Sequence, residues 1–259
     1  MLLAPARGAS LASLGSGSRG NGTVVSLDGV HLLVDCGFTL RQTRTRLARL
    51  GLLPEDLSAV LVTHEHSDHM QGVAVLARRH RLPVYLSHGT RRGVTGWDDL
   101  DLRLFNSQTS FHIHGVCVTP VPVPHDAREP TQFVFDGAGV RIGVLTDLGH
   151  VTPYVSEVYR RCNALLVEAN HDRQMLWNGT YPPQLKRRIA SELGHLSNEQ
   201  TVALLEQIGS DSLREVVVGH ISEQNNCARS LGSAFADLRR RLPRLRFATQ
   251  REGFGWIDL

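Results

Sequence analysis

Five apolar runs in this chain end the same way, on aspartate or histidine. Leu32-Leu33-Val34 runs into Asp35, Ala59-Val60-Leu61-Val62 into Thr63-His64, and Val121-Pro122-Val123-Pro124 into His125. Ile142-Gly143-Val144-Leu145-Thr146 runs into Asp147, and Val216-Val217-Val218-Gly219 into His220. Short apolar runs bounded by polar punctuation read as buried strands. In α/β proteins, ligands gather beyond the carboxyl ends of such strands. One polar strand end is unremarkable, but a set carrying only Asp and His converges on one rim if the strands run the same way. The pattern therefore calls for sheets with an ionisable site along one edge.

The densest of these ends is Thr63-His64-Glu65-His66-Ser67-Asp68-His69, where His64, His66, Asp68 and His69 offer four metal donors within six residues. With 13 histidines in the chain, a lone histidine would need no explanation, but this cluster does. Imidazole nitrogens and carboxylate oxygens without thiolate suit zinc, manganese or iron, and the lack of cysteine argues for an open catalytic site over a closed structural zinc. Residues two apart in an extended turn can hold one ion, while Asp68 and His69 turn toward a second, which predicts a binuclear centre. Cys36, Cys117, Cys162 and Cys227 are widely spaced and read as reduced packing residues.

A chain of 259 residues with 41% hydrophobic and 20% charged residues is ordinary for a globular protein and is read as one domain over 1–259. No apolar run approaches the roughly 20 residues of a membrane helix. The opening Met-Leu-Leu-Ala-Pro-Ala-Arg lacks a leader pattern, so a cytoplasmic protein with no membrane partner is expected. The net charge is only +3, yet basic residues cluster at Arg41, Arg44, Arg46 and Arg49, at Lys186-Arg187-Arg188, and at Arg239-Arg240-Arg241. Such runs fit phosphate-rich partners; each alone also reads as a solvated helix face.

The first half alternates short strands with Gly-rich turns, including one long strand over Ile113 to Val123. Past Thr152, helices and strands alternate, closing on a long helix to about Arg240. Two strand-rich stretches, each followed by helices, predict an α/β fold of two packed sheets with helices outside.

His64, His66, Asp68 and His69 match the HxHxDH motif of the metallo-β-lactamase fold hydrolases. The resemblance runs in order through Asp35 in LLVDCG, the loop motif, His125 in VPHDA, Asp147 in LTDLG and His220 in VVGHIS. It implies a four-layer αββα sandwich. It also implies one metal held by His64, His66 and His125 and another by Asp68, His69 and His220, with Asp147 bridging and Asp35 supporting the histidine shell. Outside these motifs, LGSGSRGNGT, LVEANHDRQML, YPPQLKRRIASELGHLSNEQ and GHISEQNN look like the YycJ/WalJ group of bacterial exonuclease-like proteins. That likeness implies a metal-dependent nuclease that hydrolyses phosphodiester bonds of DNA, a 5′ exonuclease with accompanying endonuclease action, in DNA repair or processing. Two divalent ions are implied, manganese favoured for activity and zinc the other candidate.

Glu168 after its strand and the downstream His195 resemble the glutamate–histidine pair by which tRNA-maturation nucleases shuttle a proton. The short separation of Asp147 and His220 leaves no room for the cap domain of RNA-processing relatives. In this reading Asp68, His195 and Glu168 are catalytic, Lys186, Arg187 and Arg188 neutralise flanking phosphates, and Asn170 and His171 line the pocket. His195 also reads as a loop residue capping the helix near Asn198, and Asn170 and His171 as polar packing residues. Two other functions fit the chain: a small-molecule phosphodiesterase or thioester hydrolase on the same fold, and a non-catalytic metal- or DNA-binding module. Relative rates on DNA, aryl phosphodiesters and thioesters separate the first; the intact His69 and Asp147 weigh against the second.

Overall fold

The computed structural model describes residues 8–209, 212–242 and 244–259; the opening seven residues, on which the absence of a leader was read, lie outside that range. The apolar runs form two seven-stranded sheets. The first is built from β1 (Ala9–Gly15), β2 (Gly22–Leu27), β3 (Val30–Val34), β4 (Leu57–Leu61), β5 (Val84–Ser87) and β6 (Leu102–Phe105). The second holds β7 (Phe111–Ile113), β8 (Val116–Pro122), β9 (Thr131–Gly137), β10 (Val140–Leu145), β11 (Ala164–Glu168), β12 (Glu215–Gly219) and β13 (Leu245–Phe247). The chain then returns to the first sheet, where β14 (Phe254–Asp258) pairs antiparallel with β1.

Both sheets follow one plan, an antiparallel meander that continues into parallel crossovers. In the first, β1, β2 and β3 alternate in direction and β4, β5 and β6 run parallel to β3. In the second, β7 to β10 alternate and β11, β12 and β13 run parallel to β10. Three of the hairpins turn on a dipeptide with both residues left-handed: Asp28-Gly29 (φ 49° and 84°), His114-Gly115 (47° and 90°) and Ala138-Gly139 (51° and 74°). Such two-residue turns match the right-handed twist of the flanking strands.

The His114-Gly115 turn corrects one expectation. The stretch from Ile113 to Val123 is not a single strand: Ile113 ends β7, the chain reverses at His114-Gly115, and β8 begins at Val116. The expected long helix toward Arg240 is likewise two helices, Ala228–Ala234 and Ala236–Arg241, divided at Phe235, which ends one and begins the next.

Alternation along the strands sorts side chains into layers. In β4, Ala59 and Leu61 face the opposite sheet, while Val60 packs with the helices outside; β11 does the same with Ala164 and Leu166 against Leu165 and Val167. Between the sheets, Leu11, Val25 and Leu32 meet Phe133, Phe135, Val144 and Val217. Burying a side chain of the Phe133 kind contributes about 1.5–3 kcal/mol. Leu47, Val73 and Leu76 cover the first sheet from outside, and Tyr159, Leu204, Leu205 and Phe235 cover the second. The result is the expected αββα sandwich. Among the described residues no helix is long and apolar enough to cross a membrane.

Candidate metal centre

Because β3 and β4 run parallel in one sheet, and β8, β10, β11 and β12 share a direction in the other, their carboxyl ends present Asp35, His64, His125, Asp147, Glu168 and His220 at one rim. Backbone geometry turns three of these residues inward. Asp35, Asp147 and His220 take φ of 61°, 55° and 47° directly after their strands. Left-handed backbone is uncommon outside glycine and costs about 1–3 kcal/mol where the surroundings enforce it. After β4 the chain bends at Glu65, is extended at His66 and then forms the short helix Ser67–Met70, which carries Asp68 and His69 to the other side of the cluster. Gly37 makes room for this turn, since a Cβ there would collide with the Asp68 carbonyl.

The donor atoms fall into three overlapping groups, each within 4.8 Å: His64, His66 and His125; His64, His69 and Asp147; Asp147, His195 and His220. Asp147 Oδ2 lies 3.2 Å from His69 Nε2 and 3.4 Å from His220 Nδ1, and Asp68 Oδ2 lies 3.5 Å from His69 Nε2. His64 Nε2, His125 Nε2, His220 Nδ1 and Asp147 Oδ2 are all buried with no hydrogen-bond partner. An unsatisfied buried polar atom costs about 1–3 kcal/mol. Four converging on one spot, all nitrogen or carboxylate oxygen, fit divalent cations.

The far side of three of the rings is anchored. His69 Nδ1 donates to Asp35 Oδ2 at 2.7 Å, and Asp35 is held by Thr63 through its backbone N–H and its hydroxyl, both at 2.8 Å. His125 Nδ1 donates to the Gly194 carbonyl at 3.0 Å, and His64 Nδ1 meets Thr63 Oγ1 at 2.9 Å. Such outer bonds fix tautomer and ring orientation and leave the other nitrogen for a metal. Asp35 thus lies directly behind the His69 ring.

Electrostatics differ across the cluster. Burial holds His64 well below the ordinary imidazole range and also lowers His125 and His220, against the pull of Asp147. At His69 burial again works against protonation, but the Asp147 and Asp35 carboxylates outweigh it and raise the ring well above its usual value. Burial alone would raise the Asp147 carboxyl; His220 and His69 overcome it and hold Asp147 well below the carboxylate range. His69 could hold a cation through Nε2 only in its neutral form, because a ligating ring must be neutral.

Beside the cluster stands a second arrangement. Glu168 is fully buried; its Oε1 accepts from the backbone N–H groups of Leu148 (2.6 Å) and Leu196 (3.2 Å), and its Oε2 faces His195 Nδ1 at 3.1 Å. Burial opposes protonation of His195, but Glu168 prevails and lifts the ring to about 9. The bond through Nδ1 leaves Nε2 to serve the cavity, which His195 lines. That cavity, of about 220 Å³, is also lined by His66, Asp68, His125, Asp147 and His220, and by Asn170 and Arg188.

The other expected substrate residues scatter. His171 does not line the cavity: its ring is buried, and burial pushes it down to about 4. Lys186 directs its Nζ to the Trp177 carbonyl at 2.8 Å, Arg187 is exposed, and of that run only Arg188 lines the cavity, paired with Asp126. Adjacent residues of the helix Pro183–Ile189 point in different directions, which separates Arg188 from its two basic neighbours.

Several site residues escaped sequence reasoning. Asn21 Nδ2 lies 3.0 Å from His69 Nε2 and 3.3 Å from Asp68 Oδ2, and the Ser16 hydroxyl accepts from the His220 backbone N–H at 2.8 Å. Asp126 Oδ1 sits 3.8 Å from His66 and 3.4 Å from His125. The Gly-rich stretch from Gly15 to Gly22 was the available signal for the first two; Asp126, next to His125, gave none.

Comparison with known proteins agrees with this architecture. The Beta-lactamase superfamily domain matches residues 31–221. The chain is 35% identical over 223 residues to exodeoxyribonuclease YycJ of Bacillus anthracis, covering 82% of each. It is 33% identical over 219 residues to exodeoxyribonuclease WalJ of Streptococcus pneumoniae, covering 82% of this chain and 81% of that one. The crystal structure of Zn(2+)-bound PqqB from Methylobacterium extorquens shares the fold with a TM-score of 0.74 at 19% identity, covering 96% of this chain and all (100%) of that one. The chain belongs to the metallo-β-lactamase fold hydrolases, an enzyme family whose fold implies divalent metal ions, and within it to the YycJ/WalJ-like group.

Proposed function

We propose that this enzyme hydrolyses phosphodiester bonds of DNA with two divalent ions. In this reading it is an exonuclease working from the 5′ end, with endonucleolytic cutting beside it and a place in DNA repair or processing. The relatives named exodeoxyribonucleases support the substrate; polarity, the endonuclease action and the repair role carry over from the YycJ/WalJ resemblance. The observation that carries a hydrolytic role is the Glu168–His195 pair beside the donor cluster, which a metal-storing module would not need.

One ion belongs with His64, His66 and His125, and the other with Asp68, His69 and His220, with Asp147 shared. When bound, two such ions acidify water and neutralise charge on the attacked phosphate. Manganese is the proposed activating ion, and zinc suits the histidines.

The chain's own groups do the rest. Asp35 orients His69, and Thr63 steadies both Asp35 and His64. His195, held through Nδ1 by Glu168, offers the proton on Nε2 to the departing oxygen, a contribution of about 10²–10⁴-fold in rate for such a group. Glu168 positions and charges that ring and does not itself reach the cavity. Asn170 and Arg188 line the mouth, where Arg188 can leave Asp126 for a flanking phosphate. Lys186 and Arg187 then serve phosphates farther out, and His171 a packing role.

The test is chelator-stripped protein resupplied with manganese or zinc and offered end-labelled linear DNA, circular DNA, a bis-aryl phosphodiester and a thioester. Manganese-dependent release of nucleotides from the 5′ end is expected, with slower nicking of circles. Faster turnover of the thioester than of any DNA would favour the small-molecule hydrolase instead.

A further inference from the structure

The arginines of the helix Leu40–Arg49 have no part in the metal centre. Thr43 and Leu47 face inward, while Arg41, Thr45 and Arg49 follow one another at four-residue intervals along the outer face. With Arg46 and Arg251 they line an open groove of about 520 Å³ that contains no acidic residue. Arginines elsewhere are mostly neutralised: Arg78 by Asp99, Arg103 by Asp101, Arg141 by Asp136, and Arg244 and Arg246 by Glu215. Among the described residues, Arg41, Arg49 and Arg251 have no such carboxylate partner and are exposed. Arg46 lies over the Phe38 ring and donates to the carbonyls of Leu14 and Arg251, joining the helix to the end of β1.

The segment that carries Arg251 is tied by hydrogen bonds to a loop that lines the cavity. Next to Arg251, Gln250 accepts from the Arg19 backbone N–H at 2.7 Å and donates to the Gly20 carbonyl at 3.0 Å. Ser18, within the same loop, lines the metal cavity. A net charge of only +3 makes such a local excess of unpaired guanidinium groups the sign of an anionic partner rather than of a basic protein.

We infer that Arg41, Arg49 and Arg251 form a track for the phosphate backbone of the nucleic acid whose end occupies the metal cavity. The inference rests on the nuclease reading and extends it: the enzyme holds its substrate well beyond the bond it cuts, and favours long strands over short ones. Guanidinium groups suit this because each pairs with phosphate through parallel N–H bonds.

The test compares wild type with the triple variant Arg41→Ala/Arg49→Ala/Arg251→Ala, leaving Arg46 to hold its loop. Binding of the metal-loaded enzymes to a long phosphorothioate DNA is measured across a salt series, beside hydrolysis of a bis-aryl phosphodiester. Each lost phosphate contact should reduce the log–log salt slope by about 0.7–0.9, so a total fall of roughly 2–3 is expected with aryl-ester turnover unchanged. An unchanged slope overturns the track, as does a parallel loss of aryl-ester turnover, which would mark a general defect. Equal displacement of the DNA by polyglutamate at matched charge also overturns it, in favour of an acidic protein partner. If wild type binds long DNA through these arginines but cuts none, the track stands and the nuclease reading fails. If the triple variant binds and cuts long DNA as wild type does, the nuclease reading stands and the track fails.

Discussion

The two halves of the donor cluster solve the same problem differently. His64, His66 and His125 form an all-imidazole group fed by two loops, and the anchors behind His64 and His125 are neutral oxygens, the Thr63 hydroxyl and the Gly194 carbonyl. The other half gathers Asp68, His69, His220 and Asp147 from three loops, with the Asp35 carboxylate behind His69. Burial pushes His64 and His125 toward the neutral form that a ligand needs, whereas the Asp147 and Asp35 carboxylates pull His69 toward the protonated one. Left-handed backbone is confined to Asp35, Asp147 and His220 among these residues. Charge and strain thus concentrate in one half. Buried donor atoms without a hydrogen-bond partner nonetheless stand in both halves, at His64 and His125 as at His220 and Asp147.

Removing the shared carboxylate should have the largest effect. Asp147→Ala is expected to abolish DNA hydrolysis and lower metal content in both halves, while His64→Ala abolishes hydrolysis and empties chiefly the imidazole half. Circular dichroism should show both variants folded. Undiminished cleavage by either would break the binuclear reading. Next in size, His195→Ala should keep both ions and lose about 10²–10⁴-fold in rate on DNA, with a much smaller loss on an activated aryl leaving group that needs no proton. Metal loss in that variant would make His195 a ligand of the Asp147–His220 group, where the geometry also admits it. Equal losses on both substrates with metal intact would leave it a positioning role.

A smaller change sharpens the contrast itself. Asp35→Asn keeps the shape behind His69 but removes its charge, and outer-bond substitutions of this kind typically cost 10–100-fold in metal affinity. Calorimetric titration should show that loss in one of two binding events, the carboxylate-rich half, while the other stays as in wild type. Two equally weakened events would mean that the halves are not independent in the way their anchors suggest.

Much of this centre was legible because its residues follow apolar strands, and a strand's direction fixes where its last side chain goes. The sandwich was legible for the same reason: Ala59 and Leu61 alternate with Val60 and Val62 in a run too apolar for a solvated face. What stayed hidden depends on contacts between segments far apart in the chain. β14 pairs with β1 across nearly the whole sequence, and Asn21 reaches His69 only because Gly37 lets the Asp68 turn pack against it. The scatter of Lys186, Arg187 and Arg188 was equally hidden, since adjacent helical residues point about 100° apart. The β7–β8 turn was within reach: a His-Gly pair inside an apolar run marks a turn as readily as Asp28-Gly29 does.

Everything proposed for this centre turns on two ions sharing Asp147. The most direct measurement is the metal content of manganese-reconstituted wild-type protein, counted by mass spectrometry alongside its electron paramagnetic resonance spectrum. Two ions per chain with a spin-coupled signal, which Asp147→Ala removes, is the predicted result. A single ion per chain at saturation, or two ions whose signal is uncoupled and unaffected by Asp147→Ala, would contradict it.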